Sequence, residues 1–308
     1  MATSIQSGKL MIDGFQFTHY EWMPSERLLV VQSNRLHESI EYINARHVKG
    51  LAIAPVSGYD LTDIDFLNDC PGVVAVELGA RLSNMEGLYA LPNLAYLKVP
   101  FQQKISLSRF ESLMDLHTEW NAKVHRELVS LRKLSRLCLR KYKRTSLVDL
   151  AALQSLTTLQ IIQSPLASLA GIAAFSNLNA LEVSYCRNFS DINEISAVAG
   201  TLKTLEFDHC KRIADFSRLG ALKSLQKLML SDCGSMPNLH FIREMPRLEF
   251  FSFVNTHVAD GDLSPCLNLR YVGFMDKKRY SHTSKEVRAI IESRGRGMYD
   301  DAWRFSPS

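Results

Sequence analysis

The stretch "LEFDHCKRIADF", Leu205 to Phe216, sets His209 beside Cys210, between Asp208 and the basic pair Lys211 and Arg212. Taken alone it suggests a reactive thiol with its base, or part of a metal centre. A similar line precedes it, "LEVSYCRNFSDI" from Leu181, and another follows it, "LMLSDCGSMPNL" from Leu228. A phrase written three times at nearly constant spacing is a repeat before it is a site, and a fixed period of this length decides the architecture.

Working outward, the template apolar-x-x-apolar-x-apolar fits "VKGLAI" (Val48 to Ile53), "VVAVEL" (Val73 to Leu78), "LAYLKV" (Leu94 to Val99), "LMDLHT" (Leu113 to Thr118) and "LSRLCL" (Leu134 to Leu139). It continues through "LTTLQI" (Leu156 to Ile161), "LNALEV" (Leu178 to Val183), "LKTLEF" (Leu202 to Phe207), "LQKLML" (Leu225 to Leu230), "LEFFSF" (Leu248 to Phe253) and "LRYVGF" (Leu269 to Phe274). The fourth letters recur every 19 to 25 residues. Each copy predicts a short parallel strand whose fourth and sixth residues point inward while the third and fifth point outward, by the two-residue alternation of strands. One copy cannot close a core, but stacked copies can. "LMDLHT" fits least well, because its sixth letter is Thr118.

This pattern resembles leucine-rich repeat proteins of the short, roughly 22-residue kind. The resemblance covers about Val48 to Asp276 and is similar in form to stand-alone bacterial members of the family. It implies an α/β solenoid, with a curved parallel sheet on the concave face and short helices or loops on the convex face. It further implies protein recognition by the concave sheet, with no catalytic group in the repeat. Exposed solenoid ends need covering. The expected organisation is therefore an N-terminal cap over 1–47, a solenoid of about eleven repeats over 48–276, and a C-terminal cap helix and tail over 277–308.

Local signals support both caps. Asp13-Gly14 lies between alternating apolar runs, a hairpin signature, and "RLLVVQS" reads as a further strand. Leu36, Ile40, Ile43 and His47 mark one face of a helix. Thr283 and Glu286 stand at capping-box spacing ahead of Val287, Ile290 and Ile291, and Gly295 and Gly297 end that helix. Beyond them, Trp303 and Phe305 are candidates to dock the tail.

Composition bounds the rest. The 308 residues are 46% hydrophobic with a formal charge of +4, which demands neither a nucleic-acid nor a membrane partner. The opening "MATSIQSGKLMIDGF" lacks the basic start and apolar core of a secretory signal, so a cytoplasmic location is expected. Six cysteines form no CxxC pair and are too sparse for a disulfide scaffold, which fits reduced thiols.

Five residues past the fourth letter the chain places Cys186, Cys210 and Cys233 in successive repeats, with Asn121, Ser164 and Thr256 in others. Three evenly spaced thiols with no fourth ligand read as a buried structural ladder; no metal and no cofactor are expected. The preceding column, Trp120, Gln163, Tyr185, His209, Asp232 and Asn255, should face the other way. Cys138, a fifth letter between Arg136 and Arg140, is expected to be an outward surface thiol.

The candidate partner-binding residues on the outward face and its loops are Tyr96, His117, Trp120, Arg136, Arg140, Tyr142, Tyr185, Glu206, Asp208 and His209, with Phe101 nearby and Phe250 and Tyr271 packed at the far end. Aromatic residues and arginine dominate interface hot spots. The run "LRKLSRLCLRKYKR", Leu131 to Arg144, offers an alternative partner in nucleic acid, but Glu182, Glu206, Asp208 and Asp232 share the face and would repel a polyanion. No phosphate loop, dinucleotide motif, HExxH or GxSxG occurs, so the expectation is no enzyme. The function expected is non-catalytic protein recognition by a chain that is monomeric until complexed. A toxin-neutralising immunity protein is one form of this, and a substrate adaptor for a separate enzyme is another alternative.

Overall fold

The computed structural model describes residues 3–6, 9–20, 23–79, 81–99 and 105–295. They form two compact units, Met1–Arg136 and Leu137–Ser308. Gly297, Trp303 and Phe305 of the C-terminal segment, and Phe101, lie outside the described residues.

In the first unit, β1 (Thr3–Gln6), β2 (Lys9–Ile12), β3 (Phe15–Tyr20) and β4 (Met23–Val31) pair in antiparallel succession. Asp13 and Gly14 close the β2–β3 hairpin, both at positive φ, as a two-residue turn matched to the strand twist requires. From β4 onward the pairing is parallel, through β5 (Gly50–Ile53), β6 (Ala75–Leu78), β7 (Tyr96–Val99) and β8 (Asp115–Glu119). Leu29, Leu51, Val76, Leu97 and Leu116 stand in one row across these strands. That row is the template's fourth letter, joined by Leu29 from a strand that precedes the repeats.

Helix α1 (Leu36–Arg46) connects β4 to β5 and buries Ile43. His47 does not extend its apolar face: it is exposed in the left-handed conformation, φ 52°, and ends the helix as its C-cap. After β8 comes α2 (Ala122–Leu128), where the Asn121 carboxamide oxygen accepts from the backbone N–H groups of Lys123 and Val124.

Strand β9 (Arg136–Arg140) spans the boundary between the units. In the second unit β10 (Thr158–Ile162), β11 (Ala180–Ser184), β12 (Thr204–Asp208) and β13 (Lys227–Ser231) continue in parallel. A two-residue strand, β14 (Ser235–Met236), leaves this sheet before β15 (Phe250–Ser252), and pairs with β16 (His257–Val258) before β17 (Tyr271–Gly273) completes the main sheet. Leu159, Leu181, Leu205, Leu228, Phe251 and Val272 form the fourth-letter row. Short stretches of 3-10 helix, such as Phe216–Ala221 and His240–Glu244, lie on the return segments.

The core lies between strands and returns. Every described fourth and sixth letter from Leu51 to Phe253 is buried, whereas Val272 and Phe274 at the last rung are half-buried. Phe274 stacks on Phe253 at 5.2 Å and meets Tyr280 edge-on, closing that end of the row. Helix α3 (Ser284–Ser293) begins with the Thr283–Glu286 capping box and buries Val287 and Ile291. No described helix is long and apolar enough to cross a membrane.

Candidate functional site

The strand ends of the second unit share one backbone device. Lys141, Gln163, Tyr185, His209, Asp232 and Asn255 all have φ between 52° and 56°. The N–H groups of the first five still donate to the next strand, as from Tyr185 to Asp208 O at 2.8 Å and from His209 to Ser231 O at 2.9 Å. The left-handed residue then turns the chain, so its side chain stays outside and its successor's goes in.

Those successors are Tyr142, Ser164, Cys186, Cys210, Cys233 and Thr256, all buried. Cys210 Sγ donates to Val183 O at 3.3 Å and Cys233 Sγ to Phe207 O at 3.2 Å; Thr256 Oγ1 donates to Leu230 O at 2.7 Å. Each side chain thus ties its turn to a carbonyl on the strand of the preceding repeat. Burial pushes the Cys186 thiol up to about 11 and Cys233 to about 12, with Cys210 also raised, so none is a thiolate nucleophile near neutral pH. His209 and Cys210 therefore diverge.

Tyr142 belongs to this inward column and is 0% exposed, so it is not a loop residue open to a partner. It stands five residues past Leu137, the same count that identifies the cysteines, and its N–H donates to Ser164 Oγ at 2.9 Å.

On the outward side, Tyr185 is 47% exposed and its ring stacks on His209 at 4.2 Å. His209 Nδ1 lies 2.7 Å from Asp208 Oδ1, and Nε2 lies 3.9 Å from Asp232 Oδ2. Glu182 accepts from Ser184 Oγ at 2.6 Å and from the Gln160 amide. Burial, then the neighbouring Glu182 and Asp208 carboxylates, push Glu206 up to about 7, opposed by Lys227. Burial in turn holds Lys227 below the usual lysine value. Its ammonium lies over the Phe250 ring, which stacks on Tyr271 at 4.4 Å.

The outward face of the first unit is more closed. Tyr96 is 3% exposed and packs with Leu28 against Ala52 and Ala75. Small neighbours create this room: a Cβ on Gly50 would come within 2.5 Å of Leu28 Cδ2. His117, also buried, meets Tyr96 edge-on at 5.7 Å. Neither is the exposed contact expected of an outward position, because adjacent side chains cover it.

Asp115, 1% exposed, is reached by His117 Nε2 at 3.2 Å and Arg136 Nε at 2.8 Å. Burial pulls its carboxyl upward, but His117 and Arg136 outweigh this and hold it below the usual carboxylate range. Trp120 is half-buried beside His125 of α2, with ring centroids 6.4 Å apart. Cys138 is buried, not a surface thiol. Arg136 and Arg140 are half-buried, and Arg140 donates to Gln163 Oε1 at 2.9 Å.

The sequence reading omitted Asp115 and Lys227. Both were signalled: Asp115 and Arg136 are third letters of consecutive copies, and Lys227 is the third letter beside Phe250.

No protein-family model matches the sequence. No curated protein matches it either. Among solved structures, the chain is similar to an internalin of Listeria monocytogenes, InlF, at 19% identity and a TM-score of 0.54, with 77% of this chain and 71% of that chain covered. It is also similar to a leucine-rich repeat protein of Leptospira interrogans, at 15% identity, 83% and 90% coverage, and a TM-score of 0.37. A plant peptide hormone receptor, RGFR1 in complex with RGF2, matches at 15% identity, 74% and 35% coverage, and a TM-score of 0.45.

Proposed function

In a chain built on the leucine-rich repeat fold, we propose that the exposed sheet face and its left-handed strand-end column recognise a protein partner, without catalysis. The carrying observation is Tyr185, 47% exposed and stacked on His209, which in turn lies beside Asp208 and Asp232 of consecutive repeats. A large aromatic held on a rigid sheet loses little entropy on binding, and the surrounding charge selects the partner. Within the second unit, half-buried Arg140 extends the binding set.

Nucleic acid is the weaker reading. Arg136 is held by Asp115 and Arg144 by Asp149, and Arg140 donates to Gln163, so these guanidinium groups are engaged within the protein. Six free buried cysteines support a reducing, cytoplasmic setting. Within protein recognition, the finer proposal is an immunity-type inhibitor, monomeric until it meets a cognate toxin.

The test is affinity capture from the native cell, followed by binding measurements on variants. Tyr185→Ala should weaken the captured complex by about 30-fold, the scale of a hot spot. Charge reversal at Arg140 should lower the association rate. An unchanged affinity for Tyr185→Ala would show that the partner uses another surface. Salt-sensitive binding of RNA or DNA would favour the alternative.

A further inference from the structure

We infer that the loops just past the left-handed strand ends of the second unit, at Arg187, Lys211, Arg212 and the 277–279 segment, dock an acidic segment of a protein partner. The inference rests on the reading that the partner is a protein, but it assigns a surface beside the sheet face and not the face itself.

The first observation is a column of charge. Two residues follow each inward residue, as Arg187 and Asn188 follow Cys186, and Lys211 and Arg212 follow Cys210. Over the six repeats from Tyr142 to Thr256, five of these twelve residues are lysine or arginine and none is acidic, whereas 36 basic residues in 308 would supply one or two. Arg187, Lys211 and Arg212 are exposed, and among the described residues no carboxylate forms an ion pair with any of them.

The column has a fixed backbone. His257 N donates to Gly234 O at 2.8 Å where β16 pairs with β14, and a Cβ on Gly234 would lie 3.1 Å from Lys211 O. At φ 83° and in such close approach, glycine lets successive loops stack tightly.

The far end adds a second observation. The Lys277 ammonium meets the His257 ring, 3.3 Å from Nε2, and burial followed by the charges of Lys277 and Arg279 holds that imidazole below the usual histidine value. Three basic groups thus gather where, among the described residues, no carboxylate is paired with any of them. An incoming carboxylate is attracted by all three.

Nucleic acid fits this edge less well. Single strands are held by basic grooves with exposed aromatic platforms, and the twelve loop positions hold no phenylalanine, tyrosine or tryptophan. A duplex is wide enough to meet Asp208 and Asp232 on the neighbouring column, which repel its phosphates. A protein carries both signs of charge, so its acidic segment can lie on the loops while its cationic side chains meet those aspartates.

Fluorescence anisotropy of the full chain with a labelled peptide of alternating glutamate and serine tests this. The parent should bind it, less tightly as salt rises. Charge reversal of Arg187, Lys211 and Arg212 together should weaken binding by about 10- to 100-fold, the scale of three exposed ion pairs. NMR shifts on the parent should centre on Arg187, Lys211, Arg212 and Lys277, which decides the matter if the variant fails to fold. With the captured partner, loss on loop reversal alone would remove the sheet-face reading and keep this one, whereas loss on Tyr185→Ala alone would overturn this one. Equal peptide affinity in parent and folded variant, shifts centred elsewhere, no binding at low salt, or tighter binding of an RNA oligonucleotide of equal charge would also overturn it.

Discussion

Strands β8 and β12 are written on one template and treat their outward residues oppositely. In β8 all five residues, Asp115–Glu119, are buried, and the Asp115 carboxylate is shared by Arg136 and His117. In β12 the outward Thr204, Glu206 and Asp208 are half-exposed between inward Leu205 and Phe207, and Glu206 faces other carboxylates. One carboxyl is held down by its His117 and Arg136 partners and the other pushed up by burial and like charge. Position in the repeat sets direction, and neighbours set environment. The closed face suits structure, while the open, unbalanced face suits binding.

The comparison breaks first at Phe207 and its counterpart. Phe207 is fully buried against Phe189, with centroids 5.3 Å apart, so Phe207→Ala should cost about 3–5 kcal/mol in urea unfolding. Thr118 occupies the same letter in β8, where removal of a much smaller side chain, Thr118→Ala, should cost roughly 1 kcal/mol. Equal costs would mean that the two rungs are packed alike.

Asp115→Asn takes from Arg136 and His117 the carboxylate they share and should cost about 3 kcal/mol at neutral pH. Because the folded-state value of Asp115 is depressed, its contribution is present above the unfolded carboxylate value and is lost as pH falls through the folded one. The cost of the substitution should therefore shrink in acid, measured by denaturation at a series of pH values.

Glu206 has the opposite sign. Its folded value, about 7, lies above the ordinary glutamate value of 4.5, so the folded state holds a proton that the unfolded state has lost between those values. Its contribution is complete below pH 4.5 and is lost as pH rises through about 7. Glu206→Gln should accordingly stabilise the protein by about 1–3 kcal/mol at pH 8, with little gain at pH 5, in the same denaturation series. A gain independent of pH would remove the charge-crowding explanation.

The smallest effect is expected at Tyr142, whose buried hydroxyl has no hydrogen-bond partner among the described residues. Tyr142→Phe should change stability by less than about 1 kcal/mol, in the stabilising direction, by thermal denaturation. A clear loss would place that hydroxyl in a hydrogen bond.

The candidate surface was only partly legible. Tyr185, His209 and Asp208 could be placed outside by counting, because a left-handed residue at each strand end preserves the count. The same counting, carried through consistently, places Tyr142 inside. Tyr96 and His117 escaped it for a different reason. Alternation says which way a side chain points, but not that Gly50, Ala52 and Ala75 leave room for Tyr96 to lie down on the sheet.

By itself, the chain's sequence determined the repeat, the inward rows, the hairpin at Asp13-Gly14 and the cap at Thr283–Glu286. Each depends on residues close in sequence or on a strict period. Only the tertiary structure decided which outward residues are covered, that Asp115 is held below the usual carboxylate range while Glu206 is pushed above it, and that His209 lies between Asp208 and Asp232. Solvent exposure and electrostatic balance depend on side chains about 20 residues away that stacking brings within a few ångströms. No local pattern encodes the size and charge of those neighbours together.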